Sequence, residues 1–309
     1  MIATLLVLRA LGLGDLLTAV PALRGLRRAH PQHQVVLAAP EPLGALLDLL
    51  PELDELLPTP GPAEFRWQRG EPDVAVNLHG SGPESVRAVC STGAHRILSH
   101  RHPAAPPGAG PAWETEQHER QRWCRLLRHH DIDADPEDLL LPTPPVEVPR
   151  PGAVIVHPGA SHGARLWPVE RYAEVARWAA ESGFDVVLTG SGAERARASR
   201  VVELAGLAPE AVLAGRTGLR ELAALVAHAR LLICGDTGIA HLASAFRTPS
   251  VVLFGPVAPR YWGPPADDRH IALWHGRSGD TFASEPDPGL LALTTGRVLD
   301  AARKALRAA

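Results

Sequence analysis

An aspartate, a threonine and a histidine stand close together in Gly235-Asp236-Thr237-Gly238-Ile239-Ala240-His241-Leu242. The cluster follows an apolar run, residues 229–234, that reads as a buried strand, and precedes Ala243-Ser244-Ala245-Phe246, which reads as helix. In an open α/β sheet, the crevice beyond such a strand end is where ligands bind. The first amides of a helix lack internal partners and carry the positive end of its dipole, so they suit a phosphate. Asp236, Thr237 and His241 add groups suited to sugar hydroxyls and a diphosphate. The competing reading is that Asp236 or Thr237 merely caps the helix.

Other polar groups fall at equivalent places. Gly12-Leu13-Gly14-Asp15 follows the first apolar run and offers a carboxylate where a strand gives way to a helix. Asp15 is either an N-cap or a general base that takes a proton from an attacking hydroxyl. The helix N-terminus is expected to lower its pKa and weaken it as a base. The third glycine of a dinucleotide fingerprint is missing, and no acidic residue closes the second strand, so a nicotinamide cofactor is not expected. Farther along, His157-Pro158-Gly159-Ala160-Ser161 opens a loop that reaches Arg165-Leu166-Trp167-Pro168. Arg165 has the geometry to clamp a phosphate; otherwise it is a surface arginine. Gly190-Ser191-Gly192-Ala193-Glu194 ends another strand, and Glu194 suits both hydroxyls of a ribose; otherwise it is a favourable first-turn acid. The aromatic segment 254–264 either walls a cleft or packs Trp262 on its own domain.

These groups need strands and helices to position them. The 309 residues fit two domains of roughly 150 each. Apolar runs at residues 2–8, 34–39, 72–78 and 96–99 read as strands of a first domain. They alternate with helical patterns at 15–29, 43–50, 83–92 and 114–130. Residues 142–152 carry five prolines and read as a linker. The alternation then restarts, with strands at 153–157, 185–189, 211–213, 230–234 and 249–255. Helices are expected at 168–182, 193–205, 218–228 and 290–307. The expectation is α/β: an N-terminal domain over 1–145 and a C-terminal donor domain over 153–309, each Rossmann-like with a parallel sheet, facing across a cleft. The last helix is a candidate to pack back on the N-terminal domain.

Composition narrows the function classes. A net charge of −3 gives no reason to expect nucleic acid, and 45% hydrophobic with 21% charged residues is ordinary for a soluble globular chain. Cys90, Cys124 and Cys234 are widely spaced, which argues against a disulfide framework or a structural zinc site; no metal is expected. No apolar segment is long enough to span a bilayer, and Met1-Ile2-Ala3-Thr4-Leu5-Leu6-Val7-Leu8 reads as a first strand rather than a leader. A cytoplasmic protein is expected, with peripheral contact at the inner face of the membrane left open.

At these residues the chain resembles the ADP-heptose:lipopolysaccharide heptosyltransferases, glycosyltransferase family 9. Three motif groups carry the resemblance over about residues 1–265. The first is Gly14-Asp15-Leu16-Leu17 with Pro21-Ala22-Leu23 and Leu26-Arg27. The second is His157 to Ser161 with Trp167-Pro168 and Tyr172-Ala173. The third is Asp236-Thr237-Gly238 with His241-Leu242-Ala243 and Phe254-Gly255-Pro256. The resemblance implies a GT-B fold and an inverting, metal-independent transfer of a heptose-like sugar from a nucleotide-diphosphate donor, ADP-linked in this family, to a glycan or glycolipid hydroxyl. It implies no cofactor beyond that donor. It makes Asp15 the base and places Gly12, Gly14, Ser161, Arg165, Gly190, Glu194, Asp236, Thr237, Gly238 and His241 around the donor. Arg165 stands where the family carries a phosphate-binding lysine. Other readings on the same residues are a hydrolysing epimerase or a non-catalytic nucleotide-sugar binding protein.

Overall fold

The computed structural model describes residues 3–308, so Met1, Ile2 and Ala309, which the expected first strand and domain limits include, lie outside the described residues. The chain divides into two compact units, residues 1–139 and 140–309.

The first unit carries strands β1 (Thr4–Leu8), β2 (Gln34–Ala39), β3 (Glu55–Pro58), β4 (Val74–Asn77) and β5 (Arg96–Leu98). Their order in the sheet is β3-β2-β1-β4-β5, and every pairing is parallel. The chain therefore reverses direction across the sheet between β1 and β4, so the loops after those two strands flank the topological switch point. Leu5, Leu6, Val7 and Leu8 are fully buried, as a strand covered on both faces requires.

Helix α1 (Leu13–Ala29) runs unbroken through Pro21. An interior proline costs roughly 3 kcal/mol. Leu16, Leu17, Val20, Leu23 and Leu26 are all buried on this helix. Each such side chain contributes about 1.5–3 kcal/mol, so packing outweighs the missing hydrogen bond. Helices α2 (Pro83–Cys90) and α3 (Glu119–Arg128) complete the unit. The chain beyond α3 approaches α1 at Gly25, where a β-carbon would fall 2.8 Å from the Asp133 carbonyl oxygen and 3.0 Å from the Ala134 β-carbon. Only glycine admits that approach, which lets the end of α3 and the chain beyond it pack against the last turns of α1.

The second unit repeats the plan with β6 (Val154–His157), β7 (Val186–Leu188), β8 (Leu231–Gly235), β9 (Ser250–Leu253) and β10 (His270–Leu273). The order is β10-β9-β8-β6-β7, again all parallel, with the switch point between β6 and β8. Helices α4 (Val169–Glu181), α5 (Arg195–Ala205), α6 (Leu219–Ala227), α7 (Gly238–Phe246), α8 (Pro259–Trp262), α9 (Pro288–Leu291) and α10 (Thr295–Arg307) surround it.

Some expectations change. The helix expected over 43–50 is a 3₁₀ segment, Glu41–Leu49, and the strand expected at 211–213 is a 3₁₀ turn, Pro209–Ala211, followed by one bridge from Val212 to Leu188. The helix expected over 114–130 starts only at Glu119. The helix expected over 290–307 is two, α9 and α10. Val298, Ala301, Ala302 and Ala305 of α10 lie in the second unit's core beside α4, so the last helix has its apolar face packed on its own unit. Edge strands β3 and β10 had no sequence signal of their own.

Candidate functional site

In the first unit the site forms around Asp15. Gly12, extended at φ −76°, is the N-cap of α1, and Asp15 occupies the third helical position. Asp15 is therefore not the N-cap. Its carboxyl instead reaches back to the Gly12 N–H, the second half of a capping-box arrangement. The side chain keeps 27% exposure, so its carboxyl is reachable from solvent. Burial raises its pKa above the ordinary aspartate value, Arg9 opposes that, and Glu119 adds to it. The expectation of a base weakened by the helix terminus is thus reversed: loss of water around the carboxyl outweighs the Arg9 charge and the backbone N–H groups that lower it.

Arg9, at the end of β1, is 1% exposed. Its Nε donates to the Asp15 carbonyl oxygen at 3.0 Å and one terminal nitrogen donates to the Leu78 carbonyl oxygen, so it ties the loops after β1 and β4 across the switch point. The guanidinium also lies 4.7 Å from the Trp123 ring centre. His79, in the loop after β4, is held neutral: burial and the nearby Arg9 charge lower its pKa to about 4. Sequence reasoning missed Arg9 and Glu119. The one available signal was an arginine directly after a five-residue buried strand.

The second unit gathers its groups along the carboxyl edge of its sheet. Asp236 follows β8 and is 7% exposed. Burial pushes its pKa up to about 6 against the lowering influence of Arg165. Arg165, in the 3₁₀ turn Gly163–Arg165, reaches across from the loop after β6. It donates to the Asp236 carbonyl oxygen at 3.2 Å and lies 3.5 Å from its carboxylate. Arg165 is therefore a half-buried group at the switch point, not a free surface arginine, and its Nε is buried without a hydrogen-bond partner.

Thr237 is the N-cap of α7, but neither it nor Asp236 bonds the first-turn amides through its side chain. Capping through the side chain fails, and the Gly238 and Ile239 amides are left to face an anion, while the Ala240 N–H bonds the Thr237 carbonyl oxygen at 3.0 Å. Gly238 opens the helix, and His241 sits within its second turn, edge-on to Trp262 at 6.1 Å between ring centres. The aromatic segment 254–264 thus packs Trp262 on its own unit.

Glu194 is the N-cap of α5. Its Oε2 accepts from the Ser191 N–H at 2.7 Å, and its carboxyl lies against Gly159 and Gly190. That brings the loops after β6 and β7 into contact. Ser161 is exposed in the loop after β6. His157 donates or accepts through Nδ1 with Thr189 Oγ1 at 2.9 Å. Burial lowers its pKa to about 4, with Glu194 opposing. The Trp167-Pro168 pair serves as an anchor. Trp167 is fully buried, donates from Nε1 to the Leu293 carbonyl oxygen at 3.0 Å, and stands edge-on to Tyr172 at 5.0 Å. Arg197, also unforeseen, donates to the carbonyl oxygens of Pro158 and Trp167 and pins both ends of the loop carrying Arg165.

The second unit therefore brings Arg165, Asp236, Thr237, Gly238 and His241 to one switch point and Glu194 with Gly190 to the neighbouring strand end. Asp15, Gly12 and Gly14 form the corresponding corner of the first unit.

The family described as glycosyltransferase family 9 (heptosyltransferase) matches residues 109–285. The lipopolysaccharide heptosyltransferase 2 of Salmonella typhimurium is 33% identical over 152 residues, covering 46% of this chain and 43% of that protein. The alignment thus spans less than half the length of that curated relative. The glycosyl transferase family 9 structure from Veillonella parvula superposes with a TM-score of 0.81 at 21% identity, covering 99% of this chain and 98% of that one. The E. coli ADP-heptose lps heptosyltransferase II gives 0.77 at 22% identity, covering 98% of each chain. The fold of both units is that of the GT-B enzymes.

Proposed function

The chain belongs to glycosyltransferase family 9, and from that premise we propose that it is an inverting, metal-independent heptosyltransferase that moves a sugar from ADP-heptose to a hydroxyl of a lipopolysaccharide-type glycolipid. The observation that carries the proposal is the uncapped N-terminus of α7 with Arg165 and Asp236 beside it at the switch point. That is an anion site with hydrogen-bonding side chains at its rim.

Glu194 takes the ribose hydroxyls. Arg165 and the first amides of α7 take the diphosphate and supply the positive charge that would otherwise come from a cation. Asp236, Thr237 and His241 hold sugar hydroxyls. The acceptor oxygen attacks the anomeric carbon as the bond to the diphosphate breaks. The diphosphate leaves with the electron pair, and Asp15 takes the acceptor's proton. A single displacement inverts the anomeric centre. The raised Asp15 pKa suits this role, because a stronger base removes the proton earlier along the reaction.

Acceptor choice is assigned to the loops at residues 58–70 and 100–118. Trp113 of the second loop is already committed to internal packing, with Arg122 lying 3.9 Å from its ring centre. Among the described residues no helix is long and apolar enough to cross a membrane. We assign the enzyme to the cytoplasmic side, meeting its glycolipid acceptor by peripheral contact; all three cysteines are free, in keeping with a reducing compartment.

The test is a mass-spectrometric screen of ADP-, GDP-, UDP- and dTDP-sugars, with and without a heptose-accepting glycolipid. Acceptor-dependent consumption of ADP-heptose is expected. Conversion of donor with no acceptor present would point to an epimerase, and binding without turnover to a non-catalytic protein.

A further inference from the structure

Arg9 offers one terminal nitrogen to three acceptors. Its NH2 lies 3.4 Å from Asp15 Oδ1, 3.3 Å from Glu119 Oε1 and 3.3 Å from Thr18 Oγ1. That nitrogen has two hydrogens. A charge-assisted pair closes to roughly 2.7–2.9 Å when an arginine belongs to one carboxylate. None of these contacts is that short, so the guanidinium is divided between the two acids.

Glu119 is fixed from its far side. Its Oε2 accepts from Arg122 Nε at 2.9 Å, and its side chain is 11% exposed. Arg122 in turn donates to the carbonyl oxygens of Glu114 and Gln117 and lies over Trp113. The result is a line from half-buried Trp113 through buried Arg122, Glu119 and Arg9 to partly exposed Asp15. Glu119 is the first residue of α3, and the Gly25 approach holds α3 against α1.

We propose that Glu119 is a positioning residue for Asp15: by sharing Arg9 it stops the guanidinium from closing on the Asp15 carboxylate, and so leaves that carboxylate free to accept a proton. This rests on the reading of Asp15 as the base. The charged groups acting on Asp15 are Arg9 from the β1–α1 loop and Glu119 from α3. His79, across Arg9 in the β4–α2 loop, stays neutral above a pH of about 4. Without the Glu119 charge, Arg9 has one carboxylate partner instead of two, and the repulsion that disfavours ionised Asp15 is gone. Both changes make Asp15 a weaker base.

The experiment is a pH profile of kcat/KM for Glu119→Gln, an isostere that keeps an oxygen for Arg122. The acid limb is expected to move down by about one pH unit. The plateau is expected to fall about 3- to 10-fold with the donor KM unchanged. Glu119→Asp, which restores the charge, should recover part of both. A merely structural role would lower the rate without moving the limb, and an unmoved limb overturns the proposal. A second measurement reads the carboxyl itself: the carbon-13 shift of Asp15, titrated in the unmodified protein and in Glu119→Gln. A lower midpoint in Glu119→Gln is expected, and an equal or higher one overturns the proposal. The base assignment fails separately: if Asp15→Asn turns over normally with its acid limb intact, Asp15 is not the base, whatever Glu119 does to its titration.

Discussion

Gly159 lies flat against the carboxyl group of Glu194. A β-carbon on Gly159 would fall 2.8 Å from Glu194 Oε2 and overlap the rest of the carboxyl outright. The glycine of the His-Pro-Gly turn after β6 is thus the seat of an acid carried by the turn after β7. Gly159→Ala should leave the fold intact, because the displaced group is the end of a flexible side chain. It should weaken ADP binding about as much as Glu194→Ala does. In the double variant the two effects should fail to add, as expected when both act on one group. Calorimetry of all three variants checks this, and additive losses would separate Gly159 from Glu194.

Glu194 itself is expected to matter for affinity rather than chemistry. Glu194→Ala should raise the Kd for ADP by about 10- to 100-fold, the range for a lost hydrogen-bonded charge. Unchanged affinity by calorimetry would remove Glu194 from the donor site.

Arg165 already makes a hydrogen bond to the Asp236 carbonyl oxygen and an ion pair with its carboxylate. Arg165→Lys keeps the charge but not the planar fork, so a modest loss of ADP affinity, about threefold, is expected. Arg165→Met should lose at least tenfold, with a weaker salt dependence of binding because one charge on the anion is no longer met. Equal affinities for both variants would assign Arg165 to packing alone.

Two buried groups set opposite pH limits on stability. Asp236 has its pKa raised to about 6 from 3.8, so the stability tied to its protonated form is present below 3.8 and lost as pH rises through 6. That displacement corresponds to about 3 kcal/mol. His157 has its pKa lowered to about 4 from 6.5, so its contribution is present above 6.5 and lost as pH falls through 4. Asp236→Asn should therefore gain thermal stability relative to the unmodified protein at pH 8 but not at pH 3.5. Melting curves at the two pH values check this, and a gain independent of pH would contradict it.

Much of this arrangement was legible in the sequence because its signals are local. A continuous apolar run such as Leu5 to Leu8 declares a strand covered on both sides, and a Gly-Asp pair directly behind it declares a turn into a helix. The positions of Asp15, Glu194 and Asp236 at strand ends follow from that pattern alone. What stayed hidden is non-local. Strand β3 (Glu-Leu-Leu-Pro) exists because β2 offers it an edge, with Val36 opposite Glu55. β10 exists because β9 does the same, with Ser250 opposite His270. Arg9 and Glu119 are 110 positions apart, and nothing in either neighbourhood announces the other. The pKa of Asp15 was read with the wrong sign for the same reason: the helix dipole is visible in sequence, while burial and a distant glutamate are not.

The division of labour between Asp15 and the anion site at α7 is tested most directly in one variant read two ways. For Asp15→Ala, heptose transfer from ADP-heptose should fall at least ~100-fold, the lower bound for a lost general base. The Kd for ADP, measured by calorimetry on the same preparation, should stay within about twofold of the unmodified protein. Near-normal turnover, or a loss of ADP affinity that matches the loss of rate, would contradict the account.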